Sequence, residues 1–313
     1  MEEAVESGRG RWSTAVGLTF AVLVLSILDT LALVVLPLAI LVVALPTEKR
    51  GRWVVVGVVL WAIGLILSGG TLALLSRGWA LVLGSAFLIV TSARPEWRVV
   101  SRALAATVST LAASAVVLLV TGQMSTLDST IRGHLATVST MAIGDLQSRM
   151  PDATWLADLR TATEQITEVQ ATIFPALLAL QSIAALALVA WWIRRLGRSE
   201  SSSFVLAPLK EFRFNDQLIW ILIGAVVLLL LPLAPWGSRM ALNALIVMAA
   251  LYALRGLAVF IFLATGSKSV PTMVLGALAF VFLYPVAITA ALLMGVGDTW
   301  LDVRRRVVTA TPS

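Results

Sequence analysis

Two ionisable residues stand inside or between stretches too apolar for ordinary loops, and chemistry is to be sought there first. Arg255 lies within Leu251–Leu257, flanked by Tyr252 and Gly256, and Asp29 separates two apolar runs. A charge at membrane depth is costly and normally faces a bundle interior or a wet cavity. Such a residue contacts a polar substrate or forms half of an ion pair: Arg255 or Asp29 would contact a solute, or the two would pair with each other. Each also has a plainer reading. Asp29 would be a solvated turn residue, and Arg255 would be held by a backbone carbonyl or by Tyr252. Arg255 is the stronger functional candidate because no loop explains its position. Asn243, Gln181 and Thr289 are weaker polar positions, for which interhelical hydrogen bonds of about 0.6–2 kcal/mol are an adequate account. Arg255, Tyr252, Asn243 and Asp29 together form the candidate lining of a solute site.

Other chemistry is poorly supplied. The chain has no Cys, which removes thiolate catalysis, iron–sulfur clusters and Cys-based zinc sites. The one histidine, His134, lies in a polar segment and reads as a surface residue, so no metal, haem or other cofactor is expected. No carboxylate pair shares a face of an apolar segment, which leaves a proton relay unsupported, and there is no regular Arg ladder of a voltage sensor. With no Ser–His pair or Asp pair in a motif context, no catalytic residue is assigned and an enzyme is not expected. The net charge of +6 carries no phosphate loop and no basic run interleaved with aromatics, so nucleic acid is not an expected partner. Cytoplasmic loops rich in Lys and Arg account for that charge better.

The elements that must position these residues follow from composition. Of 313 residues, 59% are hydrophobic and 13% charged, and the mean hydropathy is +0.96. Soluble domains carry roughly 45–50% apolar and about 25% charged residues, so the bilayer is the solvent for this chain. The expected fold is all-α, a polytopic transmembrane helical bundle of eight or nine spans with an extramembrane amphipathic helical hairpin. The run Thr14–Leu45 reads as two short helices, Thr14–Leu28 and Leu31–Leu45, turned at Asp29, or as one long tilted helix. Further spans are read at Trp53–Leu75, Trp79–Thr91, Val99–Val120, Ile173–Ile193, Leu218–Leu233, Ala241–Ala264 and Val270–Met294. Most tryptophans, among them Trp97, Trp220, Trp236 and Trp300, fall at the proposed ends, as the headgroup zone favours.

Four parts result: an N-terminal bundle over residues 1–121, a polar hairpin over 122–172, a C-terminal bundle over 173–296 and a tail over 297–313. In the hairpin, Leu127, Ile131, Leu135, Val138, Ala142 and Leu146 recur at helical spacing. Trp155, Leu159, Ala162, Ile166, Val169 and Ile173 resume it after Pro151. That is a pair of helices joined near Met150–Asp152, with Asp152 available as a cap. Its acidic balance suits the non-cytoplasmic side, as a lid or docking surface or as a hairpin that merely packs. The basic loops at Lys49–Arg52, Arg94–Arg102 and Arg194–Arg213 belong in the cytoplasm, with the N-terminus. Arg304, Arg305 and Arg306 point to the same side, but nine spans would leave them outside. No cleavable signal peptide is evident, so the first helix would itself direct insertion.

Small residues cluster in Val99–Val120, and Gly17 with Ala21 and Gly64 with Ser68 repeat a small-xxx-small pattern. They serve close packing within the chain or the docking of partner membrane subunits. The stretches Phe212–Trp220, Leu251–Val259 and Gly297–Arg305, with the amphipathic insert, resemble the YybS-like family of bacterial polytopic membrane proteins. That family is distantly similar to the substrate-binding subunits of energy-coupling-factor transporters. The resemblance implies a multi-pass protein of the bacterial cytoplasmic membrane that binds a small solute and docks on a partner through Gly17 and Ala21. The alanine pair usual in that first helix is not clearly present. The resemblance supplies no catalytic residue, and Arg255 departs from the uncharged polar residue expected there. Two functions follow: a solute-binding or transport component without its own ATPase, with an anionic solute natural for Arg255, or a non-catalytic accessory subunit of a larger membrane complex.

Overall fold

The structure, a computed structural model, describes residues 15–44 apart from 24 and 26–28, residue 63, and residues 71–150, 155–196, 204, 206–232, 234–266, 284–302, 304 and 306. Among these residues the regular structure is helical throughout. Residues 15–23 form a first helical segment. After it come α1 (Thr30–Ala44), α2 (Thr71–Ala93), α3 (Val99–Thr121), α4 (Met124–Arg149), α5 (Leu156–Arg195), α6 (Ile219–Leu230), α7 (Pro235–Gly266) and α8 (Tyr284–Leu301). Among the described residues, four helical stretches are long and apolar enough to cross a membrane: Ala73–Ala93, Val99–Thr121, Leu156–Arg195 and Pro235–Leu263. Three more are apolar but shorter: Thr30–Ala44, Asp216–Leu230 and Pro285–Leu301.

The break at Asp29 is real and has a cause. The Asp29 carboxylate accepts from the backbone N–H groups of Leu31 (3.0 Å) and Ala32 (3.3 Å), which caps the otherwise unpaired first turn of α1. α1 is apolar on every side, as a helix enclosed by others must be. It lies against α2 and α5 in a core that also takes Val99, Ala103 and Ala106 of α3. Its close approach to α2 depends on Gly84, where an added Cβ would stand 2.8 Å from the Pro37 backbone of α1.

The helix boundaries correct the sequence reading in three places. Residues 71–75, read as the end of a preceding span, and 76–78, read as the link after it, belong to α2; the rest of Trp53–Leu75, apart from residue 63, lies outside the described residues. The second hairpin helix does not stop before a new span: α5 runs unbroken for 40 residues from the hairpin through Pro175 into the bundle. α8 continues past Met294 to Leu301, so the part read as a tail from residue 297 opens inside a helix; residues 270–283 of that span lie outside the described residues. The small-residue face of α3 is split. Its first half is buried, whereas Ala112, Ala113, Val116, Val117, Leu119 and Val120 face outward. α3 ends as sequence implies, at Gly122, whose φ of 67° lets the Gln123 N–H reach back to Leu118 O (3.0 Å).

Pro235 opens α7 at the position where its missing N–H costs nothing. Trp220, Trp236 and Trp300 stand exposed at helix ends. The proposed Asp152 cap lies outside the described residues.

Candidate functional site: a buried charge cluster between two helices

α7 and α8 touch backbone to backbone. A Cβ at Gly256 would sit 1.7 Å from Ala291 O, and one at Gly295 would sit 1.9 Å from Tyr252 O. Rising numbers on α7 meet falling numbers on α8, so the helices run antiparallel. Glycine at both positions permits an approach that no side chain would allow.

This crossing brings Arg255 and Asp298 together. Arg255 is 2% exposed and donates through Nε to Asp298 Oδ2 at 3.0 Å and through Nη2 to the Asp298 carbonyl at 3.3 Å. Its Nη1 donates to Asp216 Oδ1 at 2.5 Å. Asp216 is presented by a 3-10 turn, Asp216–Leu218, which the Asn215 side chain caps by accepting from Gln217 N. Asp298 has a second cation: Arg304 Nη2 reaches the same Oδ2 at 2.9 Å. Arg304 Nη1 meanwhile donates to the carbonyls of Lys210 (3.0 Å) and Phe212 (3.2 Å). Arg213 pairs with Asp302, which closes α8 in the left-handed conformation that Asp tolerates. The apolar wall is Phe214, which lies under the Arg255 guanidinium (5.6 Å) and edge-on to the Tyr252 ring (5.0 Å).

Counted together, Arg213, Arg255 and Arg304 face Asp216, Asp298 and Asp302, so the charges balance. Hydrogen-bonding capacity does not. Asp298 Oδ1 and Arg304 Nε are buried without partners, and the Tyr252 hydroxyl lies beside Thr299 without closing a hydrogen bond of regular geometry. Buried polar atoms are nearly always paired, and three exceptions at one place need an explanation.

Of the residues picked out from the sequence, Arg255 and Tyr252 meet here. Asp29 does not: it caps α1, and the carboxylates on Arg255 are Asp298 and Asp216. An anionic solute was expected for an unpaired Arg255, and these ion pairs meet that charge instead. Asn243 is also elsewhere, twelve residues or about 18 Å back along α7. There it repairs the proline interruption in α5. Its Oδ1 accepts from Ala176 N (2.8 Å), and its Nδ2 donates to Thr172 O (3.0 Å), groups that would bond each other in an uninterrupted helix. Arg239 adds donors to Thr172 O (3.2 Å) and Ala171 O (2.7 Å). Arg239 also donates to Asp128 of α4 at 2.8 Å, and Asp128 holds Arg132, which in turn meets Glu168. The hairpin is thereby tied to the bundle. Burial pushes the Asp128 carboxyl up, but hydrogen bonds and charge from Arg239 and Arg132 outweigh it and hold the group below the usual carboxylate range.

His134 is exposed on α4. Gly17 faces outward with nothing within 4 Å of a Cβ placed on it, and Ala21 is half-buried.

A family model described as "predicted membrane protein (DUF2232)" matches residues 14–299. The chain belongs to the DUF2232 family. None of the curated proteins and none of the solved structures matches it. Membership of DUF2232 and the run of apolar helices make this a membrane protein. Within this DUF2232 chain, the three stretches that carried the sequence resemblance, around Phe212–Trp220, Leu251–Val259 and Gly297–Arg305, are the ones that converge on Arg255. Sequence inspection missed Asp216, Asp298 and Arg304 as partners. Their signal was present, since charged residues interrupt apolar sequence at two further points. Arg304 was read for topology alone, although it is 7% exposed and spent inside the fold.

Proposed function

We propose that this DUF2232 protein is a polytopic component of the bacterial cytoplasmic membrane, of eight or nine spans, that binds a small polar solute without catalysing a reaction. The Arg255–Asp298–Arg304 cluster is its binding site. The observation that carries this reading is the unspent capacity there: a phenol hydroxyl, a carboxylate oxygen and a guanidinium N–H, all buried beside a charge-balanced salt-bridge cluster. A neutral or zwitterionic solute bearing both donors and acceptors would complete those bonds without adding net charge. Asp216, 63% exposed, is the partner of Arg255 most easily displaced by an entering ligand. The sequence resemblance to energy-coupling-factor substrate-binding subunits supports the same reading, in which a partner would supply the energy.

The test is native mass spectrometry of protein extracted in mild detergent, beside a Tyr252→Phe variant that loses only one hydroxyl. A retained polar molecule, bound more weakly by Tyr252→Phe, is expected. Stoichiometric membrane subunits with no small molecule would sink the solute reading and leave an accessory subunit.

A further inference from the structure

A second buried arginine, remote from Arg255 in sequence and on a different helix, forms no ion pair among the described residues: Glu96, exposed at the same helix end, acts on it only through charge at a distance. Arg102, in the first turn of α3, is 0% exposed, and its Nε, Nη1 and Nη2 atoms have no hydrogen-bond partner among the described residues. Its one close companion is the Phe204 ring, 5.2 Å from Cζ and itself 3% exposed. A ring lying over the guanidinium covers its face and gives nothing to the N–H groups, which radiate in its plane. The other buried polar residues of α3, Thr107 and Thr110, do not serve it either, since both hydroxyls also lack partners. A buried guanidinium with five idle donors is among the costliest arrangements a fold can keep.

The surroundings say what would satisfy it. Side chains on a helix lean toward its N-terminus, so Arg102 reaches back over the start of α3. That end bears the positive pole of the helix, and its first residue is preceded by Arg98, which makes no side-chain cap. Arg98 and Arg94 are exposed there, and Arg94 lies 5.7 Å from the ring of the exposed Trp97. A half-wet tryptophan beside exposed arginines is the composition of a headgroup zone. The Arg102 fork matches a tetrahedral oxyanion bidentately.

We propose that Arg102 is the buried anchor of a phosphate-binding site at the start of α3, with the helix N-terminus and Arg98 contributing to it. The phosphate is carried by an anionic phospholipid headgroup or arrives as a free oxyanion; basic pockets between spanning helices hold lipid headgroups by this chemistry. The Phe204 ring is the cover that shifts when the group enters. The site is independent of the Arg255 cluster and stands or falls separately from it.

The experiment measures thermal unfolding of the full chain in nanodiscs of pure phosphatidylcholine, of phosphatidylcholine with phosphatidylglycerol, and of pure phosphatidylcholine with inorganic phosphate at matched ionic strength. Wild type, Arg102→Met and Arg102→Lys are compared. Arg102→Met removes an unpaired buried charge, so in phosphatidylcholine alone it folds at least as stably as wild type. The midpoint of wild type rises with one of the two probes. That rise is lost in Arg102→Met, and apparent affinity falls about tenfold or more in Arg102→Lys, which cannot bind bidentately. A rise with phosphatidylglycerol alone assigns the site to lipid, and a rise with phosphate in pure phosphatidylcholine assigns it to a soluble anion. No rise with either probe, or a rise that survives in Arg102→Met, overturns the proposal.

Discussion

Arg255 illustrates how sequence can single out one residue and still leave its partners unnamed. Its depth in an apolar stretch made it the first candidate for contact with a solute, and it is buried in a cluster of ion pairs. The cost of burying it is met by Asp298, which is 0% exposed, far more than by Asp216, which is 63% exposed. The two pairs therefore differ in worth. Removing one partner of a buried pair leaves an uncompensated charge and typically costs about 3–5 kcal/mol, whereas exposed pairs contribute about 0–1 kcal/mol. Arg255→Ala and Asp298→Ala are each expected to destabilise by the larger amount, and Asp216→Ala by the smaller. Equilibrium unfolding in detergent checks this, and equal losses at Asp298 and Asp216 would count against the assigned hierarchy. The double variant Arg255→Ala with Asp298→Ala should lose clearly less than the two single losses added together, because Arg255 and Asp298 then no longer strand each other and only Arg304 is left without its carboxylate.

At the scale of elements, the instructive case is α5. A proline in mid-helix removes one hydrogen bond and strains the turn before it. Helix α7 compensates with Asn243 and Arg239, so α5 passes from hairpin to bundle as one rod. Replacing Asn243 with Leu strands the Ala176 N–H and is expected to cost about 1–3 kcal/mol. In a Pro175→Ala background the helix closes its own bonds, and the same change should cost much less. A cycle of these variants by chemical denaturation decides it, and an unchanged cost in the alanine background would refute the account of Asn243. The link from hairpin to bundle is pH-dependent in a defined sense. Asp128 titrates below its ordinary range when folded, so its stabilising effect is full above about pH 4–5 and is lost on acidification through the folded pKa. Limited proteolysis of the hairpin should accelerate only below that range, and Asp128→Asn should remove the dependence. Acceleration at neutral pH would contradict it.

Across the whole molecule, the charged groups sort toward two levels. Arg239, Asp128, Arg132 and Glu168 sit where the hairpin meets the bundle. Arg304, Arg213 and the Lys210–Phe212 backbone gather at the other end of the C-terminal helices. The conflict over the basic C-terminal residues eases here, because Arg304 is bound to the carbonyls of the loop that follows the basic end of α5. Arg304 thus lies beside Lys210, on the side to which the distribution of Lys and Arg assigns the basic loop. The absence of Cys makes orientation directly measurable. A single cysteine at Asp145 on the hairpin should react with a membrane-impermeant maleimide in intact cells, whereas one at Arg98 should react only after permeabilisation. Labelling of both from the same side would reject the orientation.

Sequence by itself determined the solvent, the helical class and several helix ends, because these rest on local properties. A run of apolar residues must be helical in a bilayer, Asp29 can cap only the helix beside it, and Gly122 can end α3 wherever α3 lies. Arg255 was also legible, since a charge in an apolar run is conspicuous without any partner in view. What only the tertiary structure decided is which groups meet. Asp298 lies 43 positions from Arg255, Arg239 lies 111 from Asp128, and Phe204 lies about a hundred from Arg102. No periodicity carries such separations. They are fixed by where two helices can touch, at Gly256 and Gly295 for α7 and α8, and by how the fold disposes of a proline. The same limit made Asn243 look like a substrate ligand when it is a helix repair, and it left Arg102 to be read as one more basic loop residue until its burial showed otherwise.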